Sequence, residues 1–503
     1  MPRTHATLRA VLLATLCSVS ALAAEDAAAP AFGDTAAPIN LSGPVSLQNC
    51  IAQALGRNFT VRVQQLGVLQ AQDSVEIQKA AFDPTFGFNA SKSVSQTATN
   101  QAALGIASYT NTETGAFTVN DTLVTGGTLT AGYNIERVDY NPTYFLPNPA
   151  YSSNVSISVA QPLLQGAGTD YNRALVESAR LGVRISNLNF RSTVLTMVYN
   201  VETTYYNLLY QREQYKVAQD ALRQAQQLLD ENTQRRQAGV LTDLDVMNAK
   251  AGVASAQNQL ILDEQAVHNS EDALLQLLGD REFKSAVGTI DFPEVGEPEV
   301  SFERSYKLAR DNGPNLAVAQ ATIDQFKLSA LRAKRNMLPQ LSVNGGLGYG
   351  SYAATANQSI TGTWNGYNWT AGVSVSVPWE MRANRALYRQ ALSSVRSEEL
   401  AYDQADQALV VQVRSAVRSV QTNIMSVHSS AENTRFAEKA YELQKAQFDA
   451  GLATSYLVLQ AQNNLETARV SELQAKVNLL SAIADLHFLE GSSLGLYQIN
   501  LPE

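Results

Sequence analysis

Cysteine and histidine are scarce in this chain of 503 residues, with two and four copies respectively. Cys17 lies in an N-terminal apolar segment that we expect to be removed, and Leu16 before it is too bulky for lipoprotein processing. Cys50 is then alone, so the mature chain cannot form an internal disulfide. The histidines are scattered, at His5, His268, His428 and His487. None has a partner at metal-site or triad spacing, and no Gly-Lys-Ser/Thr phosphate loop is present. We therefore predict no enzyme activity, no bound metal and no cofactor.

The N-terminus carries the pattern of a secretory signal peptide. Arg3 and Arg9 precede an apolar run that ends in Ala21-Leu22-Ala23, so residues 1–23 are predicted to be cleaved. Residues 24–43 then form a short N-terminal extension. Beyond the signal, no apolar run reaches the roughly 18 to 20 residues that a spanning helix needs, which excludes an inner-membrane protein. Loss of the two arginines changes the net charge from -9 to -9 - 2 = -11, which argues against a nucleic-acid partner.

The chain contains one unit twice. The segment 238–246 (AGVLTDLDV) recurs as 450–458 (AGLATSYLV), at an offset of 450 - 238 = 212 residues. Leu-Leu-Gly at 277–279 and Leu-Glu-Gly at 489–491 match at the same offset, which predicts a tandem duplication. The predicted boundaries are a first repeat at 44–279, a linker at 280–300, a second repeat at 301–491 and a tail at 492–503. Each repeat reads as helix, strands, long helix, tip and helix.

Two very long helices are the most informative feature of these repeats. No proline interrupts residues 170–237 or 384–450, and each stretch would extend about 100 Å as a helix. The second carries apolar residues at 3/4 spacing, typical of a coiled-coil seam. These residues are Val410, Val413, Val417, Val420, Ile424 and Val427. One narrow seam buries too little surface for helices this long, so we expect each to pack on two sides in a closed cylinder.

In both repeats, a segment in which apolar and polar residues alternate, as in β-strands, lies between the helical segments. Between Pro339 and Pro378 apolar residues alternate with small polar ones, as in the wall of a membrane barrel or in a soluble sandwich. Three tryptophans in this region favour a lipid–water interface, Trp364, Trp369 and Trp379. A single hairpin cannot close on itself, and an open sheet edge in lipid is very costly. Several protomers must therefore complete the barrel.

Together, the doubled helix-strand-helix unit and the Ala-Gly-x-x-Thr tip resemble the TolC outer-membrane efflux protein family. Strands meet helices at four prolines, Pro84, Pro162, Pro339 and Pro378. The resemblance implies a mixed fold, in which a trimeric β-barrel is continued by a long periplasmic α-helical barrel. It implies an outer-membrane channel of a Gram-negative tripartite efflux pump or type I secretion system. The implied partners are two further copies of the chain, a periplasmic adaptor (membrane fusion protein), an inner-membrane transporter of RND, ABC or MFS type, and outer-membrane lipid.

The resemblance also assigns site residues at the two tips, 238–246 and 450–458. The resemblance places the pore constriction at Asp245, Leu457 and Gln460, and Asp243 beside Asp245 is a further candidate for cation preference. The implied adaptor-docking residues are Ala238, Gly239, Thr242, Val246, Ala450, Gly451, Thr454 and Val458. Family acids at the second tip fall on Leu457 and Gln460 here, so we expect an apolar constriction that dewets, with cation preference from Asp245. Asp243 fits equally well as a charge that stabilises the start of the next helix.

Two questions stay open at the level of sequence. The segment between Pro84 and Pro162 is twice as long as that between Pro339 and Pro378, which allows four strands per protomer or six. We favour an extracellular cap for the extra hairpin at 115–137, because Asp121 would otherwise occupy a lipid-facing position. A periplasmic coiled-coil adaptor or structural protein is the alternative function, since it would also have long helical hairpins.

Overall fold

A computed structural model describes residues 45–96, 109–141, 147–280, 287–290, 296 and 298–499. The predicted signal peptide at 1–23 and the extension at 24–43 lie outside the described residues, as do parts of the predicted linker and tail. In the described part of the chain, no helix combines the length and the apolar character needed to cross a membrane.

The chain alternates helical hairpins with strands. The helices are α1 Leu47–Arg57, α2 Phe59–Lys79, α3 Thr169–Gln237, α4 Asp243–Leu277, α5 Phe302–Asn312, α6 Pro314–Arg335, α7 Ala356–Thr361, α8 Arg382–Asp449, α9 Ser455–Glu490 and α10 Ser493–Leu496. The strands are β1 Thr85–Gln96, β2 Tyr109–Thr122, β3 Thr128–Asn141, β4 Ala150–Pro162, β5 Gln340–Ala353 and β6 Gly366–Ser376. Helices α3 and α8 have 69 and 68 residues, close to the predicted ranges.

All six strands form one antiparallel sheet in the order β1-β2-β3-β4-β5-β6. The register pairs Phe117 of β2 with Phe88 on one side and with Tyr133 on the other. Side chains of alternate residues point to opposite faces, so this register sorts the sheet into two different surfaces. One face carries Phe, Val, Ile, Leu, Tyr and Trp side chains, and the other carries mainly Ser, Thr, Asn and Gly.

The extracellular-cap hypothesis for residues 115–137 is wrong. Strands β2 and β3 lie inside the sheet, paired along their whole lengths with each other and with β1 and β4. Asp121 does not keep this hairpin out of the sheet, because it is the last but one residue of β2, at the tight turn, and not in the middle of the apolar face. Farther along, Glu113 neutralises Arg137 at 3.2 Å and Lys92 at 2.8 Å. On the apolar face, the charges of this hairpin thus lie at its tight turn or in ion pairs.

The predicted seam of α8 is buried where α8 meets α9. Val413, Val417 and Val420 are buried in a cluster with Leu479 and Leu486, and Ile424 and Val427 pack against it. Ala309 of α5 completes this cluster, so the short helix covers the seam from the side. Each long helix packs along the helix that follows it, α3 with α4 and α8 with α9. These helical hairpins and the six-stranded sheet confirm the predicted fold class, with six strands per protomer.

Candidate gate and docking surface at the helical tips

The first tip is the turn between α3 and α4, and it is built on a left-handed glycine. Gly239 has φ +79°, which residues other than glycine adopt at a cost. Its N–H donates to the Arg236 carbonyl at 2.9 Å, and the Val240 N–H donates to the Arg235 carbonyl at 2.9 Å. These bonds satisfy the last carbonyls of α3 and reverse the chain.

A capping box then starts α4. The Thr242 hydroxyl accepts the Asp245 N–H at 3.3 Å, and Asp245 Oδ2 accepts the Thr242 N–H at 3.0 Å. The Thr242 hydroxyl also donates to Asp245 Oδ2 at 2.6 Å. Hydrogen bonds from the Thr242 side chain and backbone hold the pKa of the Asp245 carboxyl below its usual value. Asp245 is therefore ionised and held in a fixed position.

The second tip, between α8 and α9, repeats the turn but not the box. Gly451 has φ +76°, and its N–H donates to the Phe448 carbonyl at 3.0 Å. Thr454 is the N-cap residue of α9, yet its side chain makes no capping hydrogen bond, unlike that of Thr242. The residue three positions on is Leu457, whose side chain cannot return a hydrogen bond to the N-cap backbone as Asp245 does. The Leu457 N–H donates to the Thr454 backbone carbonyl instead, at 3.1 Å.

A small apolar core joins the two tips. Phe448 of α8 is 1% exposed and packs with Leu228 of α3 and Val458 of α9. Val458 and Val246 were predicted to be docking residues, but both are buried. They cannot present a docking surface in this conformation. The remaining predicted docking residues are exposed at the tips, namely Ala238, Gly239, Thr242, Ala450, Gly451 and Thr454.

Arg235 connects the α3–α4 hairpin to the α8–α9 hairpin, and it was not among the predicted site residues. Arg235 Nη1 donates to the Phe448 carbonyl at 2.9 Å, and Nη2 lies 3.2 Å from Asp449 Oδ1. Its guanidinium also lies 4.2 Å from the centroid of the Phe448 ring. Arg235 belongs to the first repeat and both partners belong to the second. Its signal in the sequence was its position four residues before Gly239, in the last turn of a helix where a cation is favourable.

The neighbouring Arg236 makes a different connection. Its Nε lies 2.5 Å from Asp243 Oδ1, which is the first residue of α4, so this ion pair stays within one hairpin. Asp243 is an exposed charge in the first turn of α4, as its helix-stabilising role requires.

The structure brings only some of the predicted constriction residues together. Asp245 Oδ1 lies 3.4 Å from the Ser455 hydroxyl, so the start of α4 touches the start of α9. Leu457 and Gln460 are exposed, three residues apart on α9, while Val458 between them points into the tip core. Leu457 and Gln460 therefore share one free helix face.

The three tryptophans lie at the ends of β6 and on its apolar face. Trp364 precedes the strand and packs on Tyr349, with ring centroids 5.2 Å apart. Trp369 follows five residues later, on the apolar face. Trp379 lies beyond the other end of the strand and is 97% exposed. Aromatic side chains therefore flank this part of the apolar face at both ends.

The chain matches the model of a known family, described as "Outer membrane efflux protein", over residues 50–280 and 305–492. The pyoverdine export outer membrane protein OpmQ of Pseudomonas putida is 29% identical over 321 residues, covering 62% of this chain and 66% of OpmQ. That alignment spans just under two thirds of the relative. The outer membrane protein TolC of Vibrio cholerae is 25% identical over 373 residues, covering 71% of this chain and 81% of that protein.

A similar fold occurs among solved structures. The outer-membrane channel OprN superposes with a TM-score of 0.69 at 17% identity, covering 88% of this chain and 89% of OprN. This likeness concerns the fold alone.

Proposed function

The chain belongs to the outer membrane efflux protein family, and we propose that it is the outer-membrane channel of a tripartite efflux pump or a type I secretion system. The observation that carries the proposal is a sheet with one apolar face, joined directly to two helices of 69 and 68 residues. The sheet suits a lipid environment, and the helices reach about 100 Å into the periplasm. The family consists of transport channels and not of enzymes.

Channels of this family are trimers in the outer membrane of Gram-negative bacteria, with a periplasmic helical extension. In this chain the free edges β1 and β6 each need a partner, because unpaired backbone groups are very costly in lipid. Three protomers would supply 3 × 6 = 18 strands, whereas four strands per protomer would have supplied 3 × 4 = 12. Barrel diameter grows roughly linearly with strand number, so the β-barrel would be about half as wide again. The outer-membrane lipid would cover the apolar face, with Trp364, Trp369 and Trp379 at its borders.

The tips are the proposed site of both docking and gating. Exposed small residues, above all Ala238 and Ala450, leave room for a helix of a periplasmic adaptor, which would connect the channel to an inner-membrane transporter of RND, ABC or MFS type. Leu457 and Gln460 would line the constriction of the closed trimer, with the ionised Asp245 nearby. The link from Arg235 to Phe448 and Asp449 would hold the two hairpins of one protomer together in this closed arrangement.

The alternative of a periplasmic adaptor or structural protein is not favoured. Its long hairpins would have no use for a six-stranded sheet with an apolar face, and the family match covers both repeats.

Export from cells tests the proposal. Cells that lack the chain should lose export of the cargo, and the wild-type chain should restore it. Ala238→Trp together with Ala450→Trp should lower export at unchanged membrane levels, since the bulky rings would fill the docking surface. Both alanines have ordinary helical backbone angles, so the substitution adds bulk without strain. Ala238→Ser together with Ala450→Ser is the matched control, because serine adds a single oxygen at the same two positions and should leave export unchanged. Full export by the double tryptophan variant would refute docking at the tips.

A further inference from the structure

The polar face of the sheet carries almost no charge. In each strand the residues with this orientation are mainly Ser, Thr, Asn, Gly and Ala, and in β5 three successive ones are Gly346, Gly348 and Gly350. Among the described strand residues, Glu136 of β3 is the only charged one on this face. The face is therefore a wall of small, uncharged side chains with a single acid.

Most other charges of the strands neutralise one another on the apolar face. Arg137 lies 3.2 Å from Glu113 and 2.7 Å from Asp139, and Lys92 lies 2.8 Å from Glu113. Within the part of the chain that the structure describes, none of the ion pairs includes Glu136. The charge of this one glutamate is thus left uncompensated on the polar side of the sheet.

Glu136 lies toward the end of the sheet away from the helices. It pairs with Thr114 of β2 and with Ser152 of β4. Ser152 is the third residue of β4, whereas α3 begins just after the other end of that strand, at Thr169. From Thr128, the first residue of β3, to Glu136 is 136 - 128 = 8 residues, or about 26 Å along an extended strand. In an outer-membrane barrel this row would lie near the exit.

We propose that Glu136 sets the charge preference of the barrel and that the rest of the polar face does not select by charge. This inference rests on the proposed function, in which three protomers enclose a lumen lined by the polar face. Three copies of Glu136 would then form one acidic ring near the exit, and rings of Glu or Asp favour cations over anions in channels. Elsewhere along the strands, cargo of either sign would meet only uncharged side chains.

The reach of this ring depends on the salt concentration. The Debye length is about 10 Å at 0.1 M and about 30 Å at 0.01 M ionic strength. A barrel of 3 × 6 = 18 strands is wide enough for an aqueous channel, so at 0.1 M the charge acts mainly beside the ring. A probe attached to the wall can therefore show where along the strands the charge acts.

Two single cysteines test the inference in intact cells. Ser152→Cys places a thiol opposite Glu136, at a cross-strand separation of about 5 Å between Cβ atoms. Ser158→Cys places one on the same face of the same strand, 158 - 152 = 6 residues or about 20 Å away. The native Cys50 is buried and should not react. The measured quantity is the ratio of the reaction rates with a cationic and an anionic methanethiosulfonate of similar size, added from outside at about 0.1 M salt.

We expect the ratio to be higher for Ser152→Cys than for Ser158→Cys. A unit charge about 5 Å away in water changes the two rates in opposite directions, so Glu136→Gln should lower the ratio at the first thiol by roughly three- to tenfold. Glu136→Lys should reverse the preference, and Glu136→Asp should keep it because the charge remains. The ratio for Ser158→Cys should stay the same in every variant, since about two Debye lengths separate that thiol from the ring.

Two outcomes would overturn the inference and leave the proposed function intact. One is a ratio for Ser152→Cys that Glu136→Gln does not change. The other is an equal change for Ser158→Cys, because a charge that acts at both positions alike is not a local one.

A third outcome would overturn the proposed function together with the inference. It is the failure of both thiols to react with reagents added from outside, or an equally fast reaction of Ile157→Cys on the apolar face. Either result would mean that the polar face does not line a channel open to the exterior.

Discussion

Replacing Arg235 by alanine should open the periplasmic end of the channel. This side chain makes the hydrogen bond to the Phe448 carbonyl, the stacking contact with the Phe448 ring and the ion pair with Asp449. All three run from the first hairpin to the second. They are lost together if the hairpins separate, so they stabilise the closed arrangement relative to an open one.

The contribution can be worked from the three contacts. A hydrogen bond from a charged donor contributes about 1.5 to 3 kcal/mol, and a partly exposed cation–π contact about 0.5 to 1 kcal/mol. The ion pair adds at most about 1 kcal/mol, because Asp449 is half exposed. Since one side chain makes all three, the sum is not additive, and we take about 2 to 3 kcal/mol. That energy shifts a closed–open equilibrium by roughly 30- to 150-fold, at tenfold per 1.4 kcal/mol.

Single-channel recording in planar bilayers measures this shift. Arg235→Ala should raise the conductance or the open fraction, and Arg235→Lys should have a smaller effect because lysine keeps the charge but lacks the planar guanidinium that reaches two acceptors and stacks on the Phe448 ring. Arg236→Ala is the matched control, since its ion pair with Asp243 stays within one hairpin. Unchanged conductance in Arg235→Ala, or an equal change in Arg236→Ala, would refute the reasoning.

Three further predictions concern the sheet, the constriction and the helical core. Cysteines placed singly at 115–137 should be protected from aqueous thiol reagents at every second residue. Uniform reactivity would show that β2 and β3 do not form part of the membrane-embedded barrel wall. Leu457→Ser should raise conductance by relieving dewetting, and Asp245→Asn should weaken cation preference; no change in either property in bilayers would place the gate elsewhere. Burial raises the pKa of Glu202 to about 7. Because the folded chain favours the neutral carboxyl, this group adds fully to the free energy of unfolding below pH 4.5, and that contribution is lost as the pH rises through 7. In thermal melts between pH 4.5 and 7, Glu202→Gln should remove up to about 3 kcal/mol of the fall in the free energy of unfolding. If the fall is the same in Glu202→Gln, another group causes it.

The long helices, the tips and the periodicity of the strands could be predicted from the amino-acid sequence, because these features depend on local rules. The absence of proline between 170 and 237 allows one uninterrupted helix, and Gly239 and Gly451 mark the two reversals by their backbone freedom. The valine seam from Val413 to Val420 follows from 3/4 spacing alone. Each of these features is encoded in residues close together in the chain.

Features that depend on residues far apart in the chain could not be predicted and became visible in the folded chain. Whether Asp121 would lie in lipid depended on where β2 ends against β3 and β4, which alternation does not specify. The contact of Arg235 with Phe448 joins residues 213 positions apart. Local propensity cannot encode such contacts, because they are set by how the packed helices align with one another.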